Sequence, residues 1–77
     1  MVKVQTFTVV GEEKLHCASC EARVGKALRR IPGVHSVIAD HQTQKIEVTF
    51  SLNETAEEVI QDRLEALGYQ VKVEVSS

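Results

Sequence analysis

The apolar residues of this chain recur with a period of two, then of about 3.6, then of two again, and the whole cycle is run through twice. That repeated switch limits the fold more than any other feature of the sequence. Val2-Lys3-Val4 alternates, and Phe7-Thr8-Val9-Val10 continues the β-branched and aromatic enrichment with its phase shifted, which predicts a strand over residues 2–10 carrying a bend or bulge. After the polar turn Gly11-Glu12-Glu13-Lys14, the residues Cys20, Val24, Ala27, Leu28 and Ile31 form the stripe of an amphipathic helix over about residues 19–30. Arg23, Lys26, Arg29 and Arg30 on its polar side suit the negative end of the helix dipole, and Pro32-Gly33 stops it. Val37 and Ile38 mark a strand over 34–40. Ile46, Val48 and Phe50 alternate with Glu47 and Thr49 in the next strand, and His41-Gln42-Thr43-Gln44 joins the two as a hairpin. Thr55-Ala56-Glu57-Glu58 has the form of a capping box that opens a second helix, striped by Ala56, Val59, Ile60, Leu64 and Leu67 and ended by Gly68. Val71, Val73 and Val75 alternate through a last strand.

The order is therefore β-α-β-β-α-β. Right-handed crossovers put both helices on one face of a four-stranded antiparallel sheet, so the expected class is α+β, a ferredoxin-like sandwich. Seventy-seven residues leave room for one core, and a single domain over residues 1–77 is expected. That size excludes large multi-step enzymes. The net charge of −2, one Tyr, two Phe and no Trp supply neither the basic field nor the stacking rings that nucleic-acid binding needs. No apolar run approaches the roughly 20 residues that cross a bilayer, and the alternating N-terminus does not read as a secretory signal, so the expected setting is cytoplasmic, without membrane insertion. A fold of this class carries many unrelated functions, so the function has to be argued from a site.

Cys17-Ala18-Ser19-Cys20 supplies one. A disulfide across so short a loop would constrain the unfolded chain little, which points to a chemical purpose for the pair. The first thiol falls on the loop and the second in the first helical turn, where unpaired N–H groups and the helix dipole favour thiolates. Structural Zn(II) calls for four ligands, whereas soft thiolates select Cu(I), which accepts two, so Cu(I) suits this pair best. A bare C-x-x-C is shared by metal carriers and thiol-disulfide oxidoreductases, and it also arises by chance in interaction modules. Thioredoxin-like proteins set a cis-proline from a later strand against their cysteines, whereas the single proline here, Pro32, directly follows the first helix.

With Leu15-His16 before the cysteines, Pro32-Gly33-Val34 after the first helix and Gly68-Tyr69 after the second, the chain resembles the heavy-metal-associated domain family of copper chaperones and N-terminal modules of copper-transporting P-type ATPases. The resemblance covers nearly the whole chain. It implies that Cys17 and Cys20 bind Cu(I) and pass it by ligand exchange to a copper-transporting P-type ATPase or another CxxC domain, with no covalent catalysis. A monomer is expected, or a dimer bridged by the metal, since an exposed two-thiolate site can share one ion between two molecules, and the expected location is cytosolic, as a free protein or a transporter module. Leu15 falls where the family usually carries a Met that anchors the loop, and Tyr69 where bacterial members often place a Tyr near the metal. The family loop commonly reads Gly-Met-x-Cys, and this chain departs from it with Lys14-Leu15-His16-Cys17. Glu12, Glu13 and His16 are harder donors that would widen the choice toward Zn(II), and another soft divalent ion is the remaining alternative for the thiolates themselves. His35 and His41 are expected to face solvent. Residues 1–35 sum to a charge of +3 and residues 36–77 to −5. Arg23, Lys26 and Arg30 then read either as a solvated helix face or as a docking surface for an acidic partner.

Overall fold

A computed structural model describes residues 1–12 and 14–74. It contains β1 (Val2–Val10), α1 (Ala18–Arg29), β2 (Val34–Asp40), β3 (Lys45–Ser51), α2 (Glu57–Ala66) and β4 (Gln70–Val73). The strands form one sheet in the order β2-β3-β1-β4, with every neighbouring pair antiparallel. The expected β-α-β-β-α-β sandwich is what forms. Phe7, Ile46, Val48 and Phe50 from the sheet are fully buried against Val24 and Leu28 of α1 and Ile60 and Leu64 of α2, so both helices share one face.

The predicted bulge in β1 is absent. Its register against β3 runs unbroken from Val2↔Ser51 to Thr8↔Lys45. The shifted phase has a different cause: Val2 and Val4 lie on the outer face, 57% and 53% exposed, while Gln5 takes the inward position ahead of Phe7 and Val9. Gln5 is tolerated inside because its Nε2 donates to the C=O of Glu74 at 2.6 Å and to that of Thr6 at 3.1 Å. The irregularity lies instead in β2, between Val34 and Ser36.

Two expectations for α2 also need correction. Its N-cap is Ala56, and no side-chain hydrogen bond caps it. The N–H groups of Glu54 and Thr55 both donate to the C=O of Ser51, which leaves Thr55 one residue short of the cap position with its hydroxyl buried and unpartnered. Val59, read as part of the buried stripe, is 47% exposed; Ile60 and Leu64 make the contact. The other end of α2 follows the sequence closely. Gly68 has φ of +101°, its N–H donates to the C=O of Glu65, and the N–H of Tyr69 donates to the C=O of Leu64, the paired bonds of a Schellman motif. Val75 of the predicted last strand lies outside the described residues.

Strand direction decides which loops meet. β1 and β2 run parallel to one another, each antiparallel to β3, so the β1–α1 loop, the β2–β3 turn and the α2–β4 loop gather at one end of the molecule. Gly33 and residues 52–55 gather at the other. Among the described residues no helix is long and apolar enough to cross a membrane.

Candidate metal centre

Both cysteines stand where the sequence places them, at the N-terminus of α1. Cys17 is the N-cap, in extended conformation, and its C=O accepts from the N–H groups of Cys20 at 3.1 Å and Glu21 at 3.2 Å, which starts the helix. Cys20 follows within the first turn and packs half-buried against the core, while Cys17 is exposed. Neither is in a disulfide. The Cys17 sulfur makes no full capping hydrogen bond, yet the N–H of Cys20, then that of Ser19, then the Ser19 hydroxyl lie close enough to favour its thiolate and lower its pKa. Partial loss of hydration opposes them, and the Cys20 thiol adds a smaller lowering effect. An exposed, acidified thiol beside a half-buried one can hold a soft cation with one side open to incoming ligands, or attack a disulfide.

The chain before Cys17 is tied down from a distance. Leu15 is 2% exposed and belongs to the core cluster, as an anchoring residue at that position should. Its N–H donates to Gln44 Oε1 at 2.8 Å, and its C=O accepts from Gln44 Nε2 at 2.7 Å. The same Nε2 donates to the C=O of His41 at 2.5 Å, and the backbone C=O of Gln44 accepts from the N–H of Val9 at 2.8 Å. Gln44 holds this position with φ of +60°, a left-handed conformation usually left to glycine or asparagine. Nothing in the sequence marked Gln44, because its partner is 29 residues away.

The chain after Cys20 is tied to the same turn. The Glu21 carboxylate accepts from the backbone N–H of His41 at 2.7 Å and meets its Nδ1 at 2.6 Å. The backbone bond first, then the ring, holds the Glu21 carboxyl below its ordinary pKa. His41 is therefore half-buried and partnered, where a solvent-facing residue was expected. Donor atoms of Glu21, Asp40 and His41 lie within 4.8 Å of one another, and within this group Glu21 Oε2 is bonded to His41 and Asp40 Oδ1 accepts from the Gln42 N–H.

Glu12, His16 and His35 are exposed, and Glu13 lies outside the described residues. Tyr69 is 5% exposed and part of the core cluster at the start of β4. Arg23, Lys26 and Arg30 line, with Ala27, a shallow cleft of about 220 Å³ along the outer side of α1.

Comparison with known proteins matches residues 4–70 to the model of the heavy-metal-associated domain. A copper-exporting P-type ATPase of Bacillus subtilis is 40% identical over 58 residues, 75% of this chain and 7% of the ATPase. A zinc-transporting ATPase of Synechocystis is 32% identical over 76 residues, 99% of this chain and 10% of that protein. The chain thus spans a small fraction of these relatives. Among solved structures, oxidized MerP from Ralstonia metallidurans superposes with a TM-score of 0.85 at 25% identity, covering 97% of this chain and 100% of that one. The water-soluble region of the P-type ATPase CopA from Bacillus subtilis gives 0.81 at 35% identity, over 92% of this chain and 45% of that one.

Proposed function

Because this chain belongs to the heavy-metal-associated domain family, we propose that it carries Cu(I) on the thiolates of Cys17 and Cys20 and hands the ion to a partner by ligand exchange. The observation that carries this reading is the asymmetry of the pair: an exposed thiol with a lowered pKa and a half-buried thiol packed against the core, on one helical turn. Two soft donors satisfy Cu(I), whereas Zn(II) calls for four ligands in a closed site. Among the described residues, the two sulfurs gather no His, Asp or Glu into a three-ligand cluster, which favours copper over the zinc that one relative's name suggests.

Transfer begins when a partner thiolate approaches the exposed side and forms a three-coordinate ion. Cys17 leaves first and Cys20 last, since Cys17 is exposed and Cys20 packs against the core. The partner is another two-cysteine domain, such as one in a copper-transporting P-type ATPase. The basic cleft of Arg23, Lys26 and Arg30, along the helix that begins at Cys17, steers an acidic surface onto α1, which raises encounter rate more than affinity. Residues 1–77 act as one carrier module, with no covalent chemistry of their own. A disulfide-exchange role fits less well, because Pro32 lies beyond the C-terminal end of α1, about 18 Å of helix away from the cysteines.

An anaerobic Cu(I) titration of the reduced protein against a chromophoric chelator, beside Zn(II), tests the reading. One Cu(I) bound tightly, Zn(II) weakly, and neither retained by the Cys17→Ser, Cys20→Ser double variant is the expected result. Equal, weak binding of both ions would sink it, and insulin-reductase activity would move the pair to redox chemistry.

A further inference from the structure

The β2–β3 turn grips the chain on both sides of the cysteine pair. Gln44 holds both backbone groups of Leu15, two residues before Cys17, and His41 holds the carboxylate of Glu21, immediately after Cys20. Turn residues in a hairpin have no need of such contacts, and both polar groups of the Gln44 side chain, Oε1 and Nε2, are committed through three hydrogen bonds to the backbone of Leu15 and of His41 in its own turn. Its left-handed φ is an added cost that a hairpin alone would avoid with Gly or Asn.

We propose that Gln44 is a positioning residue for the metal ligands, holding the Leu15–Cys17 segment in its binding geometry before the ion arrives. A ligand loop ordered in advance does not lose that freedom on binding, so the affinity rises without any further ligand. The effect of Gln44 on affinity rests on the Cu(I) reading above; its grip on the loop does not.

Two variants separate this role from simple support of the fold. Gln44→Gly removes the side-chain amide and relieves the left-handed backbone, and Gln44→Asn keeps an amide one methylene too short to span both Leu15 groups while tolerating the same φ. For each, the thermal midpoint, the hydrogen exchange of the Leu15 amide in the metal-free protein, and the Cu(I) dissociation constant by chelator competition would be measured. The expected result is an unchanged or raised midpoint, Leu15 exchange faster by about tenfold or more, and Cu(I) binding weaker by about tenfold, the scale of one or two lost hydrogen bonds in a preorganised site. Exchange at the wild-type rate, or Cu(I) binding within about twofold of a wild type that does bind, would overturn the proposal. So would a large fall of the midpoint in both variants, which would make Gln44 a residue of the fold alone. Should the wild type bind no Cu(I), the functional reading fails by itself, and Leu15 exchange still decides for or against the grip.

Discussion

Gly33 and Gly68 share a backbone conformation, with φ of +96° and +101°, but have opposite surroundings, and replacing each with alanine isolates what crowding adds to strain. A methyl group at Gly68 meets no atom within 4 Å, so Gly68→Ala carries only the strain of a sparsely populated φ, about 1 to 3 kcal/mol. At Gly33 the same methyl would come within 2.6 Å of Glu54 Cβ and 3.3 Å of Thr55 Cγ2. A Cβ cannot rotate away. The backbone that bears it is held by the N–H of Ser51 on the C=O of Gly33 and by the N–H groups of Glu54 and Thr55 on the C=O of Ser51. Relief therefore requires the whole 51–55 turn to shift, which adds about 1 to 3 kcal/mol of overpacking and brings Gly33→Ala to roughly 2 to 6 kcal/mol. Against a total stability of about 4 to 11 kcal/mol for a chain of this length, that is a large share of the whole. Urea unfolding followed by far-ultraviolet circular dichroism, with linear extrapolation, reads both values. A Gly33→Ala cost no greater than that of Gly68→Ala would refute the reasoning, since it would mean the 51–55 turn yields freely.

Alkylation by iodoacetamide at varied pH should label Cys17 ahead of Cys20, with a midpoint below the ordinary thiol value, because the amides of Cys20 and Ser19 favour its thiolate; equal rates would remove the basis for Cys17 leaving first. Thr55→Val, which keeps the shape and deletes the buried unpartnered hydroxyl, should raise stability by about 1 kcal/mol in urea unfolding, and a loss would show that the hydroxyl has a bonding role. The Glu74 carboxyl is held below its ordinary pKa first by the Thr8 hydroxyl, at 2.6 Å, and then by Lys45. Its contribution to stability is therefore present above the unfolded carboxyl pKa and lost as pH falls through the lower folded value. Thr8→Val should raise the Glu74 pKa in an NMR titration, and an unmoved titration would contradict the assignment.

What the sequence reveals of this molecule follows the distance over which each feature is decided. Local signals read correctly: Pro32-Gly33 ends α1, Gly68 closes α2 with both bonds of its motif, and the hairpin turn falls at residues 41–44. Cys17 and Cys20 are equally local, since one helical turn holds them both. Gln5 was illegible because its inward position depends on a carbonyl at Glu74, and a polar residue on an apolar face imitates a change of phase. Thr55 had the right spelling for a cap, but the turn after β3 hands that position to Ala56. Gln44 and His41 look like ordinary turn residues until the sheet brings them beside Leu15 and Glu21.

Since α1 is started by the carbonyl of Cys17 and not by its sulfur, the two ends of this one residue have separate duties. The sulfur can swing outward about a single side-chain torsion without releasing any helical hydrogen bond. Cys17 is thus like a latch on a fixed hinge, whose sulfur can turn while the frame behind it stays shut.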